Sequence, residues 1–320
     1  MMRTVFQPLL LALAISSPAF AADRFTPLQI TGHQGVGHAA LAKARSVQPV
    51  KVLASLPVTY GLAQALLKDT DVVLERAAPA NLPGSRQTAY FTGRGAAALN
   101  ALAQNADAAI GLRSLWPDDP LYTVARRSNI RIVEIDAARP VDGALPGIAV
   151  QPGSGDGLNS QPWLSSNNLG RMADVMAADL SRLAPDAKTR IDANLASLKQ
   201  RLLKLTADSE ARLARADNLG VASLSDHFAY LASGLNLELV STDARPDADW
   251  TPEALARLSA DLKENDVRVV LHHRQPSEPV KAAVSAGGAQ LLVLGTDGAD
   301  PVAELSDNVD QVIQALTSPL

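Results

Sequence analysis

Histidines are the residues of this chain best suited to bind a metal ion, and there are five of them in 320 residues. His33 and His38 lie in a glycine-rich stretch near the N-terminus, and His227 stands alone. His272 and His273 are adjacent, so on a regular strand they would point to opposite faces and could share a ligand only if the chain turns there. Neutral imidazole nitrogen is a common ligand of first-row transition metals. Each histidine is therefore a candidate metal ligand, with an ordinary hydrogen-bonded or solvated role as the alternative.

Motifs of the common enzyme classes are absent from the sequence. There is no G-x-S-x-G, no Walker A loop, no H-E-x-x-H and no G-x-G-x-x-G. The chain has no cysteine, which excludes thiolate metal ligands, a cysteine nucleophile and a lipid on a processed N-terminal cysteine. Asp226 and His227 could act as an acid–base pair in an α/β enzyme, but Ser225 or Asp226 could equally be the N-cap of a helix. We expect a protein that is not an enzyme.

Composition indicates a globular protein without a nucleic-acid surface. Hydrophobic residues make up 47% of the chain and charged residues 19%, which is enough apolar material for a sizeable core. The formal net charge is −4, and no block of lysine and arginine offers a surface for phosphates. A length of 320 residues suggests about two domains.

The first 21 residues have the pattern of a cleaved signal peptide. Arg3 precedes the apolar run Leu9 to Ile15, which is too short to span a bilayer, and Ala19-Phe20-Ala21 fits a signal peptidase site. An apolar N-terminal helix of the fold is the alternative. We therefore expect a periplasmic protein whose residues 22–48 form a flexible leader, in which His33 and His38 could collect metal.

The rest of the chain predicts an α/β fold of two Rossmann-like lobes with parallel sheets, joined by a long inter-lobe helix. Short apolar strand segments alternate with helical segments twice, on either side of a glycine- and proline-rich stretch. We predict an N-terminal lobe over 49–160, a helical connection over 161–216 and a C-terminal lobe over 217–320. Residues 81–95 are predicted to form a loop.

In parallel sheets, ligands lie beyond the carboxyl ends of the strands. The loops expected there begin at Asn81, Ser225, His272 and Thr296. These four loops are the predicted walls of a cleft between the lobes.

Four segments in these loops and at the inter-lobe connection make the chain similar to the zinc- and manganese-binding solute receptors of bacterial ABC importers. They are Leu82-Pro83-Gly84 with Arg86-Gln87-Thr88, Gln161-Pro162-Trp163-Leu164, Ser225-Asp226-His227-Phe228-Ala229-Tyr230, and Leu294-Gly295-Thr296-Asp297. They resemble the family's Pro-Gly loop with Pro-His-Thr, its His-x-Trp-Leu, its His-Asp-x-Phe-x-Tyr and its terminal Leu-Asp. The resemblance covers roughly residues 50–318 and implies a monomeric receptor that delivers a divalent metal, such as zinc or manganese, to an inner-membrane ABC permease, with no catalytic cofactor.

The chain departs from this family at the metal ligands themselves. The resemblance places Gln87, Gln161, Ser225 and Asp297 where the family has histidines and carboxylates, so only one carboxylate remains. Two amides, a hydroxyl and one carboxylate would hold zinc weakly.

Either a histidine rebuilds the site, or the ligand is not a bare metal ion. The candidate metal ligands are Gln87, Gln161, Ser225, His227, His272 and Asp297, which we expect to converge on the cleft; His273 could also supply the imidazole. A degenerate paralogue that binds a metal chelate or another solute, or that regulates a partner without transporting metal, is the alternative.

Overall fold

The computed structural model describes residues 48–140 and 161–318. The predicted signal peptide and the leader with His33 and His38 lie outside the described residues. So does the stretch 141–160, which contains the predicted end of the N-terminal lobe.

The first lobe is built on a four-stranded parallel sheet in the order β2-β1-β3-β4. Its strands are β1 (Lys51–Ala54), β2 (Val73–Arg76), β3 (Ala108–Gly111) and β4 (Val133–Asp136). The helices among them are α1 (Pro57–Leu66), α2 (Gln87–Thr92), α3 (Ala96–Gln104) and α4 (Pro120–Ser128). Because all four strands are parallel, their carboxyl ends lie along one edge of the sheet.

The second lobe repeats this arrangement, with a parallel sheet in the order β6-β5-β7-β8. Two long helices precede it: α5 (Ser166–Leu183) and α6 (Lys188–Leu213). Its strands are β5 (Gly220–Ser223), β6 (Glu238–Thr242), β7 (Val269–His272) and β8 (Gln290–Val293). Its helices are α7 (Ala229–Gly234), α8 (Pro252–Glu264), α9 (Glu278–Ala286) and α10 (Pro301–Thr317). The predicted two-lobed α/β fold with a long inter-lobe helix is confirmed.

Each sheet separates two hydrophobic clusters, because successive side chains on a strand point to opposite faces. Val52 and Ala54 of β1 belong to a cluster that also contains residues of β5, α5, α6 and α10, and so runs through both lobes. Leu53, between them, packs into an outer cluster with α2, α3 and α4. A second outer cluster lies under α8 and α9 in the C-terminal lobe.

Helix α6 connects the lobes and contacts helices of both of them. Its 26 residues span about 39 Å at a rise of about 1.5 Å per residue. Asn194 donates from Nδ2 to the carbonyl oxygens of Leu66 and Lys68, at 2.9 and 2.8 Å, and so satisfies backbone groups at the C-terminal end of α1. The first lobe thus depends on a side chain from the inter-lobe helix for the completion of α1.

Gly61 allows a close contact between the lobes in the middle of α1. A Cβ atom at this position would lie 2.5 Å from the carbonyl oxygen of Ala299 and 2.5 Å from Cδ of Pro301. Both atoms are at the start of α10, in the C-terminal lobe. Glycine is therefore required here by the approach of backbone rather than by a turn.

Two parts of the N-terminal lobe differ from the sequence-based expectation. Residues 81–95 are not simply a loop, because they contain a 3₁₀ turn at Gly84–Arg86 followed by α2. Phe91 anchors α2 with its side chain fully buried. Helix α4 was not predicted either, although Asp119-Pro120 is a recognisable start: Asp119 accepts from the Leu121 N–H, and Pro120 stands at the first helical position.

Asp119 also ties α4 to β3. Its second carboxylate oxygen accepts from the backbone N–H of Leu112 at 2.8 Å, and the residue is 2% exposed. Burial raises the pKa of this carboxyl above its ordinary value, against the effect of the two hydrogen bonds.

None of the helices in the described part of the chain is both long and apolar enough to span a membrane.

Candidate functional site

A small cavity lies where the carboxyl ends of the strands in the two lobes face each other. Its volume is about 140 Å³. The N-terminal lobe contributes Leu56, Pro57 and Val58 from the start of α1 and Pro83, Gly84 and Ser85; Gln161 and Trp163 come from the inter-lobe connection, and His227, Thr296 and Asp297 from the C-terminal lobe. Three of the six predicted ligands, Gln161, His227 and Asp297, therefore line one cavity.

The loop between β5 and α7 holds His227 through its neighbours. Ser225 Oγ accepts from the backbone N–H of His227 at 3.3 Å. The ring Nδ1 of His227 lies 2.8 Å from Oδ1 of Asp226. A carboxylate at Nδ1 favours the tautomer with the proton on Nδ1, which leaves the lone pair on Nε2. This carboxylate–imidazole pair is the arrangement that commonly orients a histidine for a metal ion.

The loop after β8 presents Asp297 at the cavity. Asn308, in α10, donates to the carbonyl oxygen of Gly295 and accepts from its N–H, at 2.8 and 3.1 Å. Glu304 accepts from the N–H of Gly298 at 2.7 Å, and burial raises the pKa of Glu304. These bonds to α10 fix the loop on both sides of Asp297, whose own side chain remains exposed.

Gln161 is buried, strained and unsatisfied. It is 5% exposed, and its Oε1 is fully buried with no hydrogen-bond partner among the described residues. Its backbone is left-handed, with φ +46° and ψ +66°, a conformation that costs free energy in a residue other than glycine. Residues with strained backbone cluster at binding sites, and a buried polar atom without a partner is rare enough to need an explanation.

Gln87 and Ser225 lie behind the surface of the cavity. Gln87, fully buried at the start of α2, donates from Nε2 to the carbonyl oxygen of Ser55 at 3.3 Å, and its Oε1 has no partner among the described residues. Ser225 is 2% exposed and shares a 2.8 Å hydrogen bond with Nδ1 of His273. Neither residue is among those that line the cavity.

His272 and His273 are adjacent in the sequence but make different contacts in the structure. His272 is buried at the end of β7, and its Nδ1 accepts from the backbone N–H of Arg274 at 3.1 Å. Burial lowers its pKa. His273 stacks on His227, with ring centroids 4.4 Å apart and ring planes at 26° to each other. It is not one of the six candidate metal ligands. Burial, and then the nearby His227, lower the pKa of His273 to about 4, so its ring is neutral at physiological pH.

The end of β7 explains why the two adjacent histidines lie in different surroundings. β7 ends at His272, and the chain turns immediately afterwards. His273 therefore escapes the strict alternation of a strand and reaches Ser225 and His227. A histidine directly after the last strand residue was the signal that pointed to this position.

The site differs from a preformed metal cage of charged and imidazole ligands. Within residues 48–140 and 161–318, no three histidine, cysteine, aspartate or glutamate side chains are grouped so that they could hold a metal ion. Among the described residues that line the cavity, Asp297 is the only one with a carboxylate. Among the described residues that line the cavity, those with side chains able to bind a metal most strongly are His227 and Asp297, with Gln161 beside them.

Comparison of the sequence with models of known protein families gives one match. A family model described as "Zinc-uptake complex component A periplasmic" matches residues 97–318. No curated protein matches the chain significantly.

Solved structures share the fold. A mutant of FpvC from Pseudomonas aeruginosa is 21% identical, with a TM-score of 0.66 and coverage of 83% of this chain and 99% of that one. ZnuA is 20% identical, with a TM-score of 0.63 over 84% of this chain and 100% of its own. A periplasmic metal-binding protein from Candidatus Liberibacter asiaticus is 14% identical, with a TM-score of 0.63 over 83% of this chain and 99% of its own. Other solved structures are a zinc-bound ZnuA deletion mutant and FpvC with Ni²⁺ or Mn²⁺.

Proposed function

The chain belongs to the periplasmic zinc-uptake component A family, and on that premise we propose that it is a periplasmic solute-binding protein that delivers a divalent transition metal to an inner-membrane ABC permease. It is a carrier rather than an enzyme. The metal is its cargo, and zinc or manganese is the expected ion. The signal-like residues 1–21 and the family's periplasmic character support export.

The observation that carries the proposal is the meeting of Gln161, His227 and Asp297 at one cavity between the lobes. Each comes from a different part of the chain, so only the folded protein brings them together. Imidazole nitrogen, carboxylate oxygen and amide oxygen are all ligands of divalent metals.

The remaining candidates support the site from behind. Ser225 holds both the His227 backbone and the ring of His273. The 4.4 Å ring stack then fixes the plane of His227. Because His272 directs Nδ1 to the Arg274 N–H, we assign it to the support of the loop rather than to the metal. Gln87 braces the end of β1 through Ser55.

A titration of metal into the metal-free full chain tests this function. We expect His227→Gln and Asp297→Asn each to weaken zinc binding at least about tenfold, or about 1.4 kcal/mol, because each removes one of the two strong ligands that the described residues offer at the cavity. Binding should also weaken as pH falls, because only neutral imidazole coordinates metal. Trp163 lines the cavity, so its fluorescence reports on binding beside calorimetry.

His272→Gln is the comparison variant: it changes a buried histidine that does not line the cavity, so it should weaken zinc binding less than the two ligand substitutions do. Tight zinc binding unaffected by the His227 and Asp297 substitutions would place the site elsewhere, and a His33→Ala, His38→Ala double variant would then test the leader.

A second candidate function is a paralogue that binds a solute without bare metal. The absence of a cluster of three or more charged or imidazole ligands in the described residues favours it. Metal analysis of protein purified without added metal separates the two, because a receptor for the ion would retain it and this paralogue would not.

A further inference from the structure

We propose that the groove between α5, α6 and α7 is a second ligand site, which takes a small organic carboxylate with an aliphatic body. The groove has a volume of about 790 Å³, within the roughly 300–1,000 Å³ of sites for small organic molecules. None of the described residues that line it also lines the cavity of His227 and Asp297. The inference therefore goes beyond the proposed function and does not depend on a metal ion.

Arg171, in the second turn of α5, is the cation that this groove offers to a ligand. The other charged residues in the described lining are Lys199 and Asp174, and they satisfy each other. Lys199 Nζ donates to the two carboxylate oxygens of Asp174, at 2.8 and 2.9 Å. Arg171 is half-buried and has no hydrogen bond or ion pair with any described residue.

The unpaired guanidinium of Arg171 sets the charge of the ligand. Two cations and one carboxylate leave the described lining with a net charge of +1. A guanidinium that loses part of its hydration without gaining a partner raises the free energy of the folded protein. A carboxylate matches the fork of N–H donors that arginine presents. One carboxylate would therefore both pair Arg171 and neutralise the groove.

Leu203 and Leu202 give the groove an apolar wall next to this cation. Leu203 is 71% exposed in the middle of α6, and Leu202 beside it is buried. Helices α5 and α6 meet closely here, because a Cβ atom on Gly170 would lie 3.5 Å from Leu202 Cδ1. An aliphatic chain laid on this wall would remove Leu203 from water. An inorganic anion would leave it exposed, and a neutral ligand would leave Arg171 unpaired.

The end of α7 closes the groove against the start of α5. A Cβ atom on Gly234 would lie 3.5 Å from Ser165 Oγ. Both helices begin close to the metal cavity in the chain, α5 three residues after Trp163 and α7 two residues after His227. A ligand in the groove thus contacts two elements that hold the cavity, while the cavity itself stays free.

Hexanoate is the probe, since it joins one carboxylate to a short aliphatic chain. It is titrated into the ¹⁵N-labelled full chain, kept metal-free with a chelator, and amide chemical shifts are followed by NMR. We expect shifts confined mainly to residues 165–174 and 199–206. Hexanol lacks the charge and acetate lacks the aliphatic chain, so each should bind at least about tenfold more weakly.

Substitutions of Arg171 test the charged part of the site. We expect Arg171→Gln to weaken hexanoate binding by about tenfold or more, and Arg171→Lys, which keeps the charge, to retain part of the affinity. Lys204→Gln is the matched control, because Lys204 is exposed, pairs with Asp208 and does not line the groove. The amide spectra also show whether each variant is folded.

Leu203→Asn tests the apolar wall at an exposed position, where folding does not depend on the side chain. We expect it to weaken hexanoate binding at least about threefold and to leave acetate binding unchanged. Ile130→Asn removes a comparably exposed apolar side chain, at 77% exposure, from the N-terminal lobe. This control should bind hexanoate as the unaltered protein does.

Each outcome decides one part of the inference. No binding of hexanoate, or binding that Arg171→Gln leaves unchanged, overturns the site. Hexanol that binds as tightly as hexanoate overturns the carboxylate, and acetate that does so overturns the aliphatic body. His227→Gln should bind hexanoate normally, so a failure of the proposed metal function leaves this site standing, and its own failure leaves the metal function untouched.

Discussion

Gly61→Ala should destabilise the protein even though alanine is a better helix former than glycine. The added Cβ would lie 2.5 Å from both the Ala299 carbonyl oxygen and Pro301 Cδ. Backbone and a proline ring cannot rotate away, so one of the lobes must shift. Overpacking of this kind lowers the free energy of unfolding by about 1–3 kcal/mol. The higher helix propensity of alanine offsets about 1 kcal/mol of that loss. The net loss is about 0–2 kcal/mol.

Gly170→Ala is the matched control because Gly170 is also inside a helix, α5. Its added Cβ would meet Leu202 Cδ1 at 3.5 Å, an ordinary van der Waals contact. Only the propensity gain of about 1 kcal/mol then applies, so this variant should be more stable than the unaltered protein. The two variants should therefore differ by about 1–3 kcal/mol, all of it from the contact between the lobes.

Thermal and urea unfolding, followed by circular dichroism, measure this difference. For a chain of this size we expect about 2–4 °C of melting temperature for each kcal/mol. If Gly61→Ala proves as stable as Gly170→Ala, the close approach of α1 to the start of α10 does not exist in solution, and the reasoning fails.

Two further predictions concern the N-terminal lobe. Asp119→Asn should cost about 1–3 kcal/mol at neutral pH, because an amide nitrogen would face the N–H of Leu112 or Leu121, and urea titrations measure the loss. Since burial raises the folded-state pKa of Asp119, the folded protein binds this proton more tightly than the unfolded chain. Its contribution to stability therefore grows as pH falls from neutral towards 4, so the gap between the two proteins should widen; a constant gap would contradict the raised pKa. Phe91→Ala should cost about 3–5 kcal/mol because the ring is fully buried under α2, and a loss below 1 kcal/mol would mean that α2 is not anchored there.

The alternation of apolar segments was enough to predict the fold. β1 reads as Val52-Leu53-Ala54, and all three residues are fully buried because helices cover both faces of the sheet. α8 begins at Pro252 as its proline predicts. α2 was not predicted because its six residues carry only one fully buried apolar side chain, Phe91, and so show no apolar period.

The candidate site was predictable only in part, since it depends on the ends of elements. His227 and Asp297 lie in the loops after β5 and β8, where the strand ends place them, and both line the cavity. The unsatisfied Gln161 Oε1 and its left-handed backbone have no sequence signal, because glutamine is not a residue that favours this conformation. The stack of His273 on His227 depends on a chain turn of one residue after β7, which periodicity cannot resolve.

A single hydrophobic cluster runs from Val52 in β1 through α5 and α6 to Leu316 in α10, so we expect the two lobes to unfold as one cooperative unit. Neither sheet can lose its inner layer without exposing apolar side chains of the other lobe to water, at about 25 cal/mol per Å². Partial melting of one lobe is therefore disfavoured. Binding energy gained by a ligand in the small cleft is shared by the whole molecule, and protects the last helix from unfolding as much as the first.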